Sequence, residues 1–213
     1  MKYSTFLLEK SLLDQGYASI AGMDEAGRGC WAGPVVAAVA VISDEGQYIE
    51  GVLDSKVMAK LRREKMYEEL RASLDEYGIG AVNAEEIDEI GINEAGRLAM
   101  QRAYEQLGHR PEIVLVDGSR ILSPNVTCLK IDRGDQKHFI ISAASVLAKV
   151  YRDRFMCELA HKYAGYGFEN HVGYGTAQHQ AALDSLGITE IHRKSYSPIK
   201  KLLTRGGNGK KMR

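Results

Sequence analysis

Several classes of protein are excluded by what this sequence has little of. Its 213 residues include three cysteines, Cys30, Cys128 and Cys157. They are too few and too scattered for a disulfide framework or a zinc cluster, which points to a reducing, cytoplasmic setting. No apolar run approaches the ~20 residues needed to span a bilayer. The first stretch mixes Lys2, Glu9, Lys10 and Asp14 into its apolar residues, unlike a secretory signal. There is no internal repeat and no second composition regime, so one domain with a small appendage is expected. The histidines His109, His138, His161, His171, His179 and His192 show no metal-ligand spacing and no associated nucleophile, and have no assigned role. Net charge is also lacking: it is zero at neutral pH, which taken as a total argues against a polyanionic partner.

The distribution of charge says otherwise. From Ile191 onward lie Arg193, Lys194, Lys200, Lys201, Arg205, Lys210, Lys211 and Arg213 without a single acid, leaving 20 basic against 28 acidic residues, a net of −8, in the rest. A basic end on an acidic body suits a polyanion; a solubilising tail around Gly206, Gly207, Asn208 and Gly209 is the plainer reading. With 45% hydrophobic and 26% charged residues, the body has the composition of a folded domain with a real core.

Periodicity predicts a short helix over residues 4–15, a strand Tyr17–Met23, and a strand Pro34–Ile42 buried on both faces. Tyr48–Leu53 reads as a short strand or a loop, Met58–Glu76 as a helix and Tyr77–Val82 as a strand. Helices are expected at Glu85–Ile90 and Asn93–Leu107, strands at Ile113–Val116 and Val126–Ile131, and a long helix at Gln136–Tyr163. A glycine-rich loop, Gly165–Gly175, precedes a helix Thr176–Leu186 that Thr176 would cap. Strands that cluster and then alternate with helices imply an α/β fold with a mixed sheet.

The chemistry concentrates in "GMDEAGRG", residues 22–29. Gly22 and Gly27 have the spacing of a phosphate-binding loop. Arg28 and Gly29 replace its lysine and hydroxyl, however, and Asp24 and Glu25 would repel phosphate. A strand aims adjacent side chains at opposite faces, so one of the two acids should point to the core. Asp24 is expected to end its strand, with Glu25 in the turn that Gly27 and Gly29 permit. "IVLVDG" ends a second strand in Asp117. Two strands ending in carboxylates would make a hard-oxygen site for Mg²⁺ or Mn²⁺; alone, Asp117-Gly118 merely starts a turn. Asp135 reads as the N-cap of the long helix and can still face a metal. Asp132 competes with it by spacing, and Asp153, between Arg152 and Arg154, reads as a surface ion pair. Lys56 and Lys137 offer phosphate contacts, and Tyr174, set between glycines, offers an exposed ring for stacking.

"GMDEAGRG", "AGPVVAA", "DSK", "LVDG", "GDQK", "AASVLAKVYRDRFM", "GYGT" and "HRKSYSPI" follow one another in an order that resembles bacterial-type ribonuclease HII over roughly residues 18–200. The resemblance implies a ribonuclease H-like fold: a central mixed five-stranded sheet flanked by helices, with a mostly helical C-terminal part from about residue 155. It implies one catalytic domain over 1–203 and a flexible basic tail over 204–213. The implied activity is metal-dependent endonucleolytic cleavage of RNA in RNA–DNA hybrids, including single ribonucleotides embedded in DNA, with 3′-hydroxyl and 5′-phosphate products. Two Mg²⁺ or Mn²⁺ ions would be held by Asp24, Glu25, Asp117 and Asp135, which selects Asp135 over Asp132 and Asp153 and leaves Asp153 as support. Gly27, Arg28 and Gly29 match the motif that reads the 2′-hydroxyl, Tyr174 the tyrosine that stacks on the neighbouring deoxyribose, and Lys56 a phosphate contact. Val57 stands where the family usually has a second lysine, and Tyr196 where phenylalanine is common. No sliding-clamp peptide is evident, and a monomer is expected.

Overall fold

A computed structural model of the protein describes residues 4–53, 55–118 and 126–206. The apolar run after Pro34 forms Val35–Ile42 (taken with Ile20–Ala26 as β1, it is β2), and all eight of its residues are buried. Alanines at 37, 38 and 40 keep both faces of this strand shallow enough for a helix to close on each. β2 pairs antiparallel with β1 on one side and with Glu76–Val82 (β3) on the other. Beyond β1 come Ile113–Asp117 (β4) and Cys128–Ile131 (β5), each parallel to its neighbour. The order β3-β2-β1-β4-β5 is the mixed five-stranded sheet expected.

One face packs on Phe139–Lys162 (α4), where Ile20, Val36, Ala38 and Leu115 meet Phe139, Ile140, Ala144 and Leu147. The other packs on Ala84–Glu105 (α3), where Met23, Val35, Val39 and Val114 meet Ile87, Ala95 and Met100. α3 is broken at Gly91, so the two helical segments expected there are both present. The residue heading α4, His138, supplies no side-chain cap. Instead Leu7–Asp14 (α1) brings buried Glu9 to accept from the Ile140 amide at 2.9 Å. Burial pushes the Glu9 carboxyl up to about 7.

Boundaries shift where tertiary contacts override local pattern. The helix after "DSK" runs Lys60–Ser73 (α2), and Glu76 belongs to β3, paired with Val41. Tyr48–Leu53 is a loop. The glycine-rich loop contains one helical turn, Phe168–His171 (α5), because Phe168 and His171 are drawn into a third core with Ala32, Met156 and Leu183. Ala177–Leu186 (α6) is capped as expected, the Thr176 hydroxyl accepting from the His179 amide at 3.2 Å. Ser197–Gly206 (α7) follows; Asp54 of "DSK" and the basic residues Lys210, Lys211 and Arg213 lie outside the described residues.

Candidate active site

β1 and β4 pair only as far as Met23 and Val116. Past that point Asp24 and Glu25 stay with Ala38 and Ala37 of β2, while Asp117 stays with Ile131 of β5. The two parallel strands therefore part at their carboxyl ends, the place where open α/β sheets hold ligands. Asp24 and Asp117 flank the opening.

This pairing corrects the expectation for Glu25. β1 runs to Ala26, so Glu25 is a strand residue held by β2 and not part of a turn. Alternation still governs it. Asp24 lies on the α4 side, with a hydrogen bond to Ser145. Glu25 lies on the α3 side with Arg28, whose guanidinium reaches the Glu25 carboxylate at 3.5 Å and the Asn93 side-chain oxygen at 2.8 Å. The acids serve one region because both stand at the sheet's end, not because they share a face.

Asp135 needs a second correction. His138, not Asp135, occupies the N-cap of α4. Asp135 sits in a 3₁₀ turn, Gly134–Gln136, reached through Arg133 in the left-handed region (φ 54°). The turn is stapled to β4 by the Gly134 amide, which donates to Asp117 Oδ1 at 2.6 Å. The buried Asp135 carboxylate faces Lys56 Nζ at 2.9 Å. Asp132 is exposed beyond the turn, and Lys137 donates back to its carbonyl. Asp153 is buried rather than on the surface, between Lys149 Nζ at 2.7 Å and Arg63 at 3.7 Å. Arg63 also donates to the carbonyls of Ser55 and Met58, on either side of Lys56. Asp153 thus steadies the lysine loop through Arg63.

The electrostatics mark the site. Burial pushes the Asp24 carboxyl well above the usual carboxylate range, and the charges of Glu25, Asp117 and Asp135 push it further, against the Ser145 hydrogen bond. Asp117 is raised by burial, with Asp135 and Glu25 adding and the Gly134 amide opposing. Four hard-oxygen donors in one field suit a divalent cation. Among the described residues, no three acids, histidines or cysteines are gathered as a ready cage. Asp135 and Asp117 instead turn to Lys56 and the Gly134 amide. The donor chemistry fits such an ion, and these side chains would have to turn from their present partners to hold it.

Beside the acids, Gly27 takes φ 91°, and a Cβ there would meet Arg152 Nε at 2.0 Å. Gly29 is different: a Cβ there would meet nothing within 4 Å, so the fold alone does not require glycine. The Arg28 carbonyl accepts from Arg193 at 2.9 Å and from the Tyr196 hydroxyl. Tyr174 is 40% exposed, shares a hydrogen bond with Cys30, and has Lys149 Nζ 5.5 Å from its ring centre. Buried Arg152 knits the two segments, donating to the carbonyls of Pro34, Val172 and Ala32. Arg193 is buried as well, so it is a strut of this loop and not part of the exposed basic surface. In the sequence Arg63 carries no signal, Arg152 reads only as a flank of Asp153, Arg193 only as part of the basic end and Tyr196 only as a replacement for phenylalanine. The strut roles come largely from bonds to backbone carbonyls, which leave no mark in a sequence.

Residues 21–199 match the family model described as Ribonuclease HII. A protein named Ribonuclease HII from Bacillus cereus (strain Q1) is 46% identical over 195 residues, which cover 92% of this chain and 75% of that one. The solved ribonuclease H2 of Pyrococcus horikoshii OT3 superposes with a TM-score of 0.75 at 32% identity, over 90% of this chain and 100% of that one. The ribonuclease HII in the PCNA complex from Archaeoglobus fulgidus gives 0.72 at 30% identity, over 84% and 95%. With its sheet order, its motifs and these similarities in agreement, the chain belongs to the ribonuclease HII family.

Proposed function

We propose that this ribonuclease cuts RNA–DNA hybrids, and single ribonucleotides embedded in duplex DNA, by divalent-metal-assisted hydrolysis that leaves 3′-hydroxyl and 5′-phosphate ends. The observation that carries the reading is the buried Asp24, set among three other carboxylates where β1 and β4 part. Asp24, Glu25, Asp117 and Asp135 would hold Mg²⁺ or Mn²⁺, as a two-ion set with substrate bound. Such ions supply positive charge against the scissile phosphate and acidify water. The chain supplies placement. Asp24 and Asp117 are fixed by the sheet, and Asp135 by the turn stapled to Asp117. Lys56, its side chain 67% exposed, can leave Asp135 for a substrate phosphate.

Specificity would come from the neighbouring loop. The 2′-hydroxyl is the atom that separates RNA from DNA. Gly29 leaves open space where any other residue would set a Cβ, so the Gly27-Arg28-Gly29 backbone can approach a ribose closely. The half-exposed Tyr174 ring, beside Cys30 of the same segment, would stack on the adjoining deoxyribose. One copy of the chain holds all of these groups, and exposed Lys194, Lys200 and Lys201 would add sequence-independent phosphate contacts.

The test is a cleavage assay on a DNA duplex carrying one ribonucleotide, with and without Mn²⁺. Incision beside the ribonucleotide only with the ion is expected. No incision would overturn the reading, and equal cutting of all-DNA duplex would assign the acids to a DNA nuclease instead.

A further inference from the structure

Outside the acid site, three histidines without an assigned role meet in the third core. His179 and His192 are fully buried and His171 nearly so. Their tautomers follow from their partners, because a carbonyl only accepts and a backbone amide only donates. His171 Nε2 lies 2.9 Å from the Tyr166 carbonyl, so it carries the proton, and Nδ1 accepts from the Gly173 amide at 3.2 Å. His192 Nδ1 accepts from the Thr189 amide at 2.9 Å, so its proton is on Nε2. His179 Nδ1 lies 3.0 Å from the Tyr174 carbonyl and must be protonated there, which leaves Nε2 bare. That bare nitrogen is 3.1 Å from His192 Nε2.

The hydrogen bonds therefore run one way: Thr189 to His192, His192 to His179, His179 to the Tyr174 carbonyl. His171 stacks on His179 with ring centres 4.5 Å apart, and its own carbonyl accepts from the Tyr174 amide at 2.8 Å. The Thr176 amide takes the other lone pair of the Tyr174 carbonyl at 2.9 Å. Both peptide groups of Tyr174 are thus fixed from the core while its ring stays half-exposed. An extra proton on any of the three rings would set two N–H groups facing each other. Burial keeps His179 and His192 neutral, holding each at about 4. Packing alone would be served by apolar rings, whereas the directed chain is specific to imidazoles.

We propose that His192 and His179 are positioning residues, whose one-way hydrogen-bond chain sets the Tyr174 ring against the sugar beside the ribonucleotide. The proposal rests on the role given to Tyr174 above.

Two measurements test it. Long-range ¹⁵N–¹H spectra of the whole enzyme should show Nδ1–H for His179 and Nε2–H for His171 and His192; Nε2–H on His179 would overturn the chain. For kinetics, an asparagine amide can sit near the Nδ1 position and a glutamine amide cannot. His179→Gln should raise KM for the single-ribonucleotide duplex roughly tenfold, with kcat on a long hybrid within about twofold and with unchanged circular dichroism. His179→Asn, which keeps a donor for the Tyr174 carbonyl but loses the acceptor for His192, should carry a clearly smaller penalty than His179→Gln, and the Gln penalty should vanish in a Tyr174→Ala background. Equal penalties for Asn and Gln, or penalties that add to that of Tyr174→Ala, would overturn the proposal and leave a merely structural role. A wild-type enzyme that cuts no ribonucleotide-containing duplex would remove the underlying reading instead. The His179 variants, which keep all four acids, cannot mimic that result.

Discussion

At the carboxyl ends of β1 and β4, Asp24 is buried among like charges that raise its proton affinity. In the third core, every ring nitrogen of His171, His179 and His192 faces a partner of the opposite kind. Both regions place polar side chains out of water, where an unmatched group is costly. The histidine cluster matches its groups internally and needs nothing from outside. The acid cluster is left crowded with like charge, with Lys56 against Asp135 and Arg28 against Glu25, and on the proposed reading a bound cation would complete it. Regions that face substrate chemistry carry the electrostatic strain, and the region behind them carries the rigidity.

The sharpest way to break this comparison is Asp24→Asn. It removes the carboxylate at the centre of the cluster, so cleavage should fall by on the order of 10²–10³-fold. Without divalent ions, the same variant should melt at or above the wild-type temperature. A lower melting temperature would show that Asp24 was already well matched. Adding Mn²⁺ is the next largest effect. At a hundredfold excess over Kd it should stabilise the wild type by about 2.7 kcal/mol. Asp24→Asn should lose most of that gain, and His179→Asn should keep it, as thermal melts with and without the ion would show.

The histidine side is tested by pH. His179 is lowered from 6.5 to about 4. Between those values the unfolded chain takes a proton that the folded chain refuses, so stability falls as pH drops through that window and levels off below it. Glu9, raised to about 7, acts in the opposite sense: its stabilisation is present below about 4.5 and is lost as pH rises towards 7. Comparing wild type with His179→Asn cancels the Glu9 contribution. Relative to wild type, the variant should gain about 1.4 kcal/mol per pH unit as pH falls from 6.5 towards 4, read from urea midpoints. Parallel curves would mean that His179 is not held neutral.

The difference between the two regions also explains what could be read in advance. The sheet was legible because its strands are apolar runs: Pro34–Ile42 and "IVLVD" lie within a residue or two of β2 and β4. Asp24 and Asp117 were legible as strand-ending carboxylates for the same reason. Glu25 was misplaced because the glycines after it suggested a turn, while the pairing that keeps it in β1 comes from β2, a long-range contact. Asp135 reads as a cap because it shortly precedes α4; the cap comes from Glu9, 131 residues away in sequence. The histidine chain was invisible, since its spacing matches no ligand pattern and its partners are backbone groups of other segments.

The finest test lies where the two regions join. Tyr196 donates its hydroxyl to the Arg28 carbonyl and accepts from Arg193, which donates to that same carbonyl at 2.9 Å. Tyr196→Phe keeps the ring that packs on Arg193, with the guanidinium 5.1 Å from its centre, and deletes the hydroxyl's two hydrogen bonds. Arg193 still satisfies the carbonyl, so no buried acceptor is left bare, and the loss should be about 1 kcal/mol or less in stability. Because the carbonyl belongs to the residue between Gly27 and Gly29, any change in activity should fall on discrimination. The ratio of kcat/KM for a single-ribonucleotide duplex to that for a long hybrid should drop by about two- to fivefold. A drop shared equally by both substrates would mean that the hydroxyl steadies the acid site as a whole, not the loop proposed to read the sugar.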